Sequence, residues 1–115
     1  DGGAGSTVEF VSGTRPIPMN RPDVAVAHAL AGQYLGMNLI YLEAGSGAKE
    51  PVATGIVEAV SDAVDVPLIV GGGIRSPETA SETVNAGASI IVTGTIIELH
   101  SNRMKELADA VHWKE

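Results

Sequence analysis

VPLIVGGGIRSPETA, residues 66–80, decides the architecture. Val66 to Val70 is a short apolar run with no polar alternation, so it reads as a strand buried on both faces, the pattern of a parallel sheet. Gly71-Gly72-Gly73 ends it. Ser76 then offers a side-chain oxygen to the first amides of a helix, and Pro77 supplies the preset φ of a first helical position. Strand, glycine turn and capped helix make one βα unit.

The same grammar repeats on either side. Upstream, Pro51 opens a helix whose buried stripe is Val52, Ile56, Val60 and Val64, four residues apart each time. Before it, Asn38 to Glu43 reads as a strand, with Ile40 and Leu42 facing one way and Leu39, Tyr41 and Glu43 the other. Downstream, Gly87 closes the capped helix, and ASIIVTGT (88–95) holds a further buried strand over Ser89 to Thr93. A last helix carries Met104, Leu107, Ala108 and Val111 on one face, with Trp113 as its anchor or an interface residue. Earlier in the chain, Pro22 starts a helix with Val24, Ala27, Ala31 and Leu35 at helical spacing and Gly36 at its end. The opening DGGAGSTVEFVSGTRPIPMNRP reads as loop, with one short strand from Thr7 to Val11. It lacks an initiator Met and reads as the middle of a longer protein, or as a processed or incomplete one.

The order is thus strand, helix, three times over, with strand starts roughly 29 and 22 residues apart. Short right-handed βα units in series build either an open doubly wound sheet or a (β/α)8 barrel. The 115 residues suit one domain.

Composition narrows the function. Fourteen Asp and Glu face seven Lys and Arg, which argues against general nucleic-acid binding. There is no cysteine, so thiolate chemistry and disulfides are out, and a cytoplasmic address fits. No apolar run approaches the ~18 residues of a membrane span. Aromatics are only 3%, and small and β-branched residues dominate, as in tightly packed α/β layers.

Each strand stops in a glycine-bearing loop: EAGSG (43–47), GGGIR (71–75) and TGT (93–95). In a parallel sheet these loops share one edge. Glycines let main-chain N–H groups approach a ligand, and several such groups aimed at one spot make an anion site. A short helix after Thr95 would add its positive end. Barrels bind phosphate in the loops after strands seven and eight, which GGG and GT fit. No dinucleotide fingerprint follows a strand, and no Walker lysine motif occurs. A carboxylate on a buried strand face is costly unless paired, so Glu43 reads as a substrate contact, with Tyr41 on the same face. Arg75 reads as a brace to a neighbouring carboxylate or subunit, or as a phosphate partner. Glu98 needs no more than a helix-end role. His28, His100 and His112 lack metal-like spacing.

YLEAGSGA, VPLIVGGGIRSPETA and IIVTGTIIE in this order resemble the geranylgeranylglyceryl phosphate synthases of archaea, prenyltransferases related to the bacterial heptaprenylglyceryl phosphate synthases. The likeness runs from about Thr7 to the end, and EAGSGA is similar to the larger archaeal branch. The resemblance implies a modified (β/α)8 TIM barrel, of which this chain is the C-terminal half with strands six to eight. It implies that Tyr41, Leu42, Glu43, Ala44, Gly45, Ser46 and Gly47 hold sn-glycerol 1-phosphate, and that Gly72, Gly73, Gly94 and Thr95 take its phosphate. Glu43 matches the carboxylate that contacts the glycerol hydroxyls and helps activate the nucleophile. The implied reaction joins the C3 hydroxyl of glycerol 1-phosphate to geranylgeranyl diphosphate in ether-lipid synthesis, with Mg2+ neutralising the leaving diphosphate.

The resemblance also implies what is missing. The family's metal-binding aspartate and first-strand lysine belong to the amino-terminal half. Asp1, Asp23, Asp62, Asp65 and Asp109 fall in loops or helices away from the strand ends, so no metal ligand is assigned here. The chain is expected to need the N-terminal half of the barrel as a partner and, like the family, to form a homo-oligomer. Two other readings compete: a different phosphate-binding barrel enzyme, such as an isomerase or a synthase of the histidine or thiazole pathways, and a noncatalytic half-barrel module.

Overall fold

The computed structural model describes residues 5–112, so Asp1 and Trp113 lie outside the described residues. Three parallel strands form one sheet in the order β1 (Ile40–Glu43), β2 (Leu68–Gly71), β3 (Ile90–Val92). Helices α1 (Thr7–Ser12) and α2 (Pro22–Tyr34) precede it, and α3 (Thr54–Ala63) and α4 (Pro77–Asn85) connect its strands. After β3 come α5 (Thr95–Leu99), a 3-10 turn over Ser101–Arg103, and α6 (Met104–Val111).

Strand register sorts the side chains into two faces. Ile40 lies beside Leu68, Leu42 beside Val70, and Val70 in turn beside Ile91. These residues face the helices. Leu68 and Val70 are fully buried in a core with Ala25 and Ala29 of α2 and Ile56, Val57 and Val60 of α3. A smaller cluster joins Ile74, Ala80 of α4 and Leu107 of α6, with Ile91, Ile96 and Ile97 packed against it. The opposite face carries Tyr41, Ile69 and Ile90 in one row and Glu43, Gly71 and Val92 in the next. Tyr41 and Ile90 are each 46% exposed there, and Val92 42%. A doubly wound sheet covers both faces with helices. Here the core helices pack on one face and leave the other bare, as in a wedge cut from a (β/α)8 barrel.

Four readings change. Thr7 to Val11 is helix, not strand: the Ser6 hydroxyl accepts from the Glu9 amide at 3.1 Å, and Gly13 closes the far end at φ 64. Paired caps outweigh the β preference of Thr7, Val8 and Val11. In α2 the residues at helical spacing do not mark the core: Ala27, Ala31 and Leu35 are exposed, and Ala25 and Ala29 are buried. The β3 strand is not buried on both faces; Ile90 and Val92 are exposed. On α6 Met104 is exposed, and Leu107 is the buried residue. The stripe Val52, Ile56, Val60 and Val64 is buried throughout, although regular helix starts at Thr54 rather than at Pro51. The Ser76 cap and Pro77 start of α4 stand as read, with Ser76 Oγ accepting from the Thr79 amide at 3.2 Å.

Candidate functional site

At the carboxyl ends of the three strands lies a cavity of about 250 Å³. Tyr41, Glu43, Ser46 and Gly47 line it from the first loop, Gly72 to Arg75 from the second, and Val92 to Thr95 with Glu98 from the third. Strand parallelism puts all three loops at this one edge, as their order in the sequence requires.

Glu43 ends β1 with its carboxylate folded back on its own loop. Its Oε1 accepts from the Gly45 amide at 2.7 Å. The Tyr41 hydroxyl donates to the same carboxylate, and its pKa is pushed up to about 12 by that hydrogen bond, then by burial, then by the carboxylate charge. A phenol held this way stays a neutral donor through the physiological range. Glu43 is not a buried, unpaired charge: it is exposed on the bare sheet face, accepts from the Gly45 amide and has the Tyr41 phenol as a partner.

Two glycines are required by what touches them. A Cβ on Gly71 would stand 2.5 Å from the Tyr41 hydroxyl, so the bare backbone leaves room for the ring. Gly72 has φ +81, and a Cβ there would lie 2.6 Å from Glu43 Oε1 and 2.8 Å from the Gly45 carbonyl oxygen. Any other residue at 72 would push the carboxylate and its loop away.

Of the residues assigned to the site from sequence, Tyr41, Glu43, Ser46, Gly47, Gly72, Gly73, Gly94 and Thr95 come together on the cavity wall. Leu42 and Ala44 are not on that wall; both pack against the core on the helix side. Gly45 lies behind the wall, donating to Glu43, and with Ala44 lines a second, wider cavity of about 770 Å³. That cavity runs between α1 and the first loop, past Ser6, Thr7, Val8 and Glu9, and shares Glu43 and Ser46 with the first.

Among the described residues Arg75 forms no ion pair with a carboxylate. Its Nη2 donates to the Ala48 carbonyl at 2.8 Å. Glu98 does more than end a helix: it lines the cavity, one turn after Gly94, with its Oε1 3.9 Å from the place a Gly94 Cβ would occupy. The signal was its spacing, since a residue four after a helix start returns to the same face. Side-chain charge on the wall is therefore one cation, Arg75, against Glu43 and Glu98. An anion would have to be held mainly by main-chain dipoles: amides bared by glycine, and those of Thr95 and Ile96, which precede the bonds of Ile97 and Glu98 to the Gly94 carbonyl. The aspartates Asp23, Asp62, Asp65 and Asp109 stand off the wall. Among the described residues no three His, Cys, Asp or Glu side chains cluster as a metal site.

Fold and site together define a barrel segment with a small glycine-walled pocket and one acidic strand-end residue at its mouth. The chain belongs to the PcrB family, whose model matches residues 3–111. It is 61% identical over 94 residues to the geranylgeranylglyceryl phosphate synthase of Pyrococcus horikoshii, covering 82% of this chain and 37% of that protein. The synthase of Chitinophaga pinensis is 47% identical over 112 residues, covering 97% of this chain and 44% of that one. The crystal structure of (S)-3-O-geranylgeranylglyceryl phosphate synthase from Thermoplasma acidophilum, in complex with substrate sn-glycerol-1-phosphate, superposes with a TM-score of 0.84 at 44% identity. That match covers 95% of this chain and 44% of the other. The chain thus spans less than half the length of these relatives.

Proposed function

We propose that this chain forms the glycerol-phosphate half of a prenyltransferase that joins sn-glycerol 1-phosphate to geranylgeranyl diphosphate. The observation that carries the reading is the position of Glu43, on the shared wall of two cavities. The smaller cavity, bordered by Gly72, Gly73, Gly94 and Thr95, suits a phosphate held by main-chain amides. Its volume of about 250 Å³ suits a ligand of triose-phosphate size. The similarity to a synthase that binds sn-glycerol-1-phosphate supports the same choice.

In this reading the glycerol C3 hydroxyl lies against Glu43, and C1 of the prenyl diphosphate approaches from the wider cavity. The C3 oxygen forms a bond to C1 as the bond from C1 to the diphosphate oxygen breaks. The hydroxyl proton passes to Glu43 and the electron pair leaves with diphosphate. Tyr41 holds the carboxylate in place and stays protonated. Bound Mg2+ would neutralise the leaving group; its ligands are assigned to residues outside this chain. The N-terminal half of the barrel, a homo-oligomer and a cytoplasmic address belong to the same proposal. Among the described residues no helix is long and apolar enough to cross a membrane.

Isothermal titration of the full-length protein with sn-glycerol 1-phosphate and with its 3-phosphate enantiomer tests the reading. A preference of at least about tenfold for the 1-phosphate is expected, since a hydroxyl moved away from Glu43 loses a charge-assisted hydrogen bond. Equal affinity, or none for either, rejects it.

A further inference from the structure

We propose that Arg75 is the positioning residue for Glu43, acting through the loop between them; the claim rests on the reading of Glu43 as the base. A relay of hydrogen bonds carries it. Arg75 Nη2 donates to the Ala48 carbonyl at 2.8 Å. The Ala48 amide donates to the Gly45 carbonyl at 3.1 Å. The Gly45 amide donates to Glu43 Oε1 at 2.7 Å. Ala48, the link nearest Arg75, is fully buried.

The loop needs such a tie. Gly45 and Gly47 both sit at positive φ, 111 and 70, so two of its residues have the widest conformational freedom a chain offers. A second contact stands beside the first: Gly73 presses its bare Cα on Glu50, with a Cβ there only 2.6 Å from the Glu50 carbonyl. Residues 73 and 75 of one loop therefore grip residues 48 and 50 of the other. A guanidinium suits the task because its charge strengthens the bond to a neutral carbonyl and its fork is rigid. The rival role for Arg75, the lone cation on the cavity wall, is direct contact with the phosphate.

The two roles separate in the full-length enzyme carrying Arg75→Gln or Arg75→Met. A loosened base predicts kcat lower by roughly 10–100-fold, as small misplacements cost, with KM for sn-glycerol 1-phosphate within about threefold of the parent. Amide exchange over residues 44–50 should quicken, and the Tyr41 titration should move down from about 12 as its carboxylate partner wanders. Arg75→Lys, which keeps a cation and a donor, should recover part of kcat. A raised KM with parental kcat and parental loop exchange makes Arg75 a phosphate ligand and overturns the proposal, as does a variant indistinguishable from the parent. Should the parent lack transferase activity, the functional reading fails on its own. Loop exchange and the Tyr41 midpoint would then still decide whether Arg75 holds Glu43. If the glutamine variant does not fold, the methionine and lysine variants give the same readouts.

Discussion

Tyr41 and Glu43 share a face because they are two apart on a strand, and one carboxylate serves both the phenol and the Gly45 amide. The phenol titrates at about 12 rather than its ordinary 10.0. A pKa raised on folding means that the pair's stabilisation is complete below pH 10 and fades as pH climbs through 12. Tyrosine ring-carbon NMR should show this midpoint, and Glu43→Gln should bring it back toward 10; an unmoved midpoint would remove Glu43 as its cause. The same substitution should cut turnover by about 100-fold or more, the scale of general-base loss. Phosphate affinity should change by less than about threefold, because the amides proposed to hold phosphate are untouched. A collapse of phosphate binding would reassign the roles. Gly72→Ala should do the reverse. It forces a Cβ against Glu43 Oε1 and Gly45 at φ +81 and costs about 1–3 kcal/mol in strain alone. Calorimetry should show a lower Tm together with weaker glycerol-phosphate binding, and a variant matching the parent in both would show the loop to be pliant.

Among the elements, those with a clean signal were legible in the sequence. The four-residue spacing of Val52, Ile56, Val60 and Val64 named the buried side of α3, and Ser76-Pro77 named the start of α4. Helix α2 was less readable because VAVAHALA is apolar nearly all round, so periodicity selected Ala27 and Ala31 where packing buries Ala25 and Ala29. The first helix was lost to composition, though Ser6, Glu9 and Gly13 carry its caps in plain order. In the site, the glycine loops were visible as loops, and alternation placed Tyr41 and Glu43 together. The Arg75 bond to Ala48 spans 27 positions and depends on how two loops fold toward each other, which no local pattern encodes. Leu42 and Ala44 entered the site as part of the loop 41–47 that the resemblance implies; the pleat sends the Leu42 side chain to the core, and Ala44 lines the wider cavity. The capping signal has a measurable weight. Ser76→Ala should remove about 1 kcal/mol, a fall in Tm of about 2–4 °C in a chain of 150–250 residues. Thermal unfolding of the full-length protein measures it, and an unchanged Tm would mean that Pro77 alone sets the start.

As a whole molecule, the wedge is finished on its outer face only. The outer face of its sheet rests on α2 and α3 and on the cluster joining α4 and α6. Its inner face presents Tyr41, Ile90 and Val92 at 42–46% exposure, and among the described residues β1 and β3 each pair along one edge. Unpaired edges and a bare apolar face are the conditions under which sheets associate. The relatives carry more than half of their length beyond the matched segment, which is material enough to close a barrel over that face. The 115-residue segment made alone should therefore bind a dye such as ANS, unfold with little cooperativity and tend to self-associate. Supplying the remaining part of the full-length chain should suppress the dye signal, sharpen the transition and restore glycerol-phosphate binding together. Those three readouts are linked because the inner face that needs cover is continuous with the cavity wall: Tyr41, Glu43 and Val92 belong to both. A segment that alone binds sn-glycerol 1-phosphate as tightly as the full-length protein, with no dye uptake, would show that the cavity is complete within this wedge and that closure serves only the second substrate.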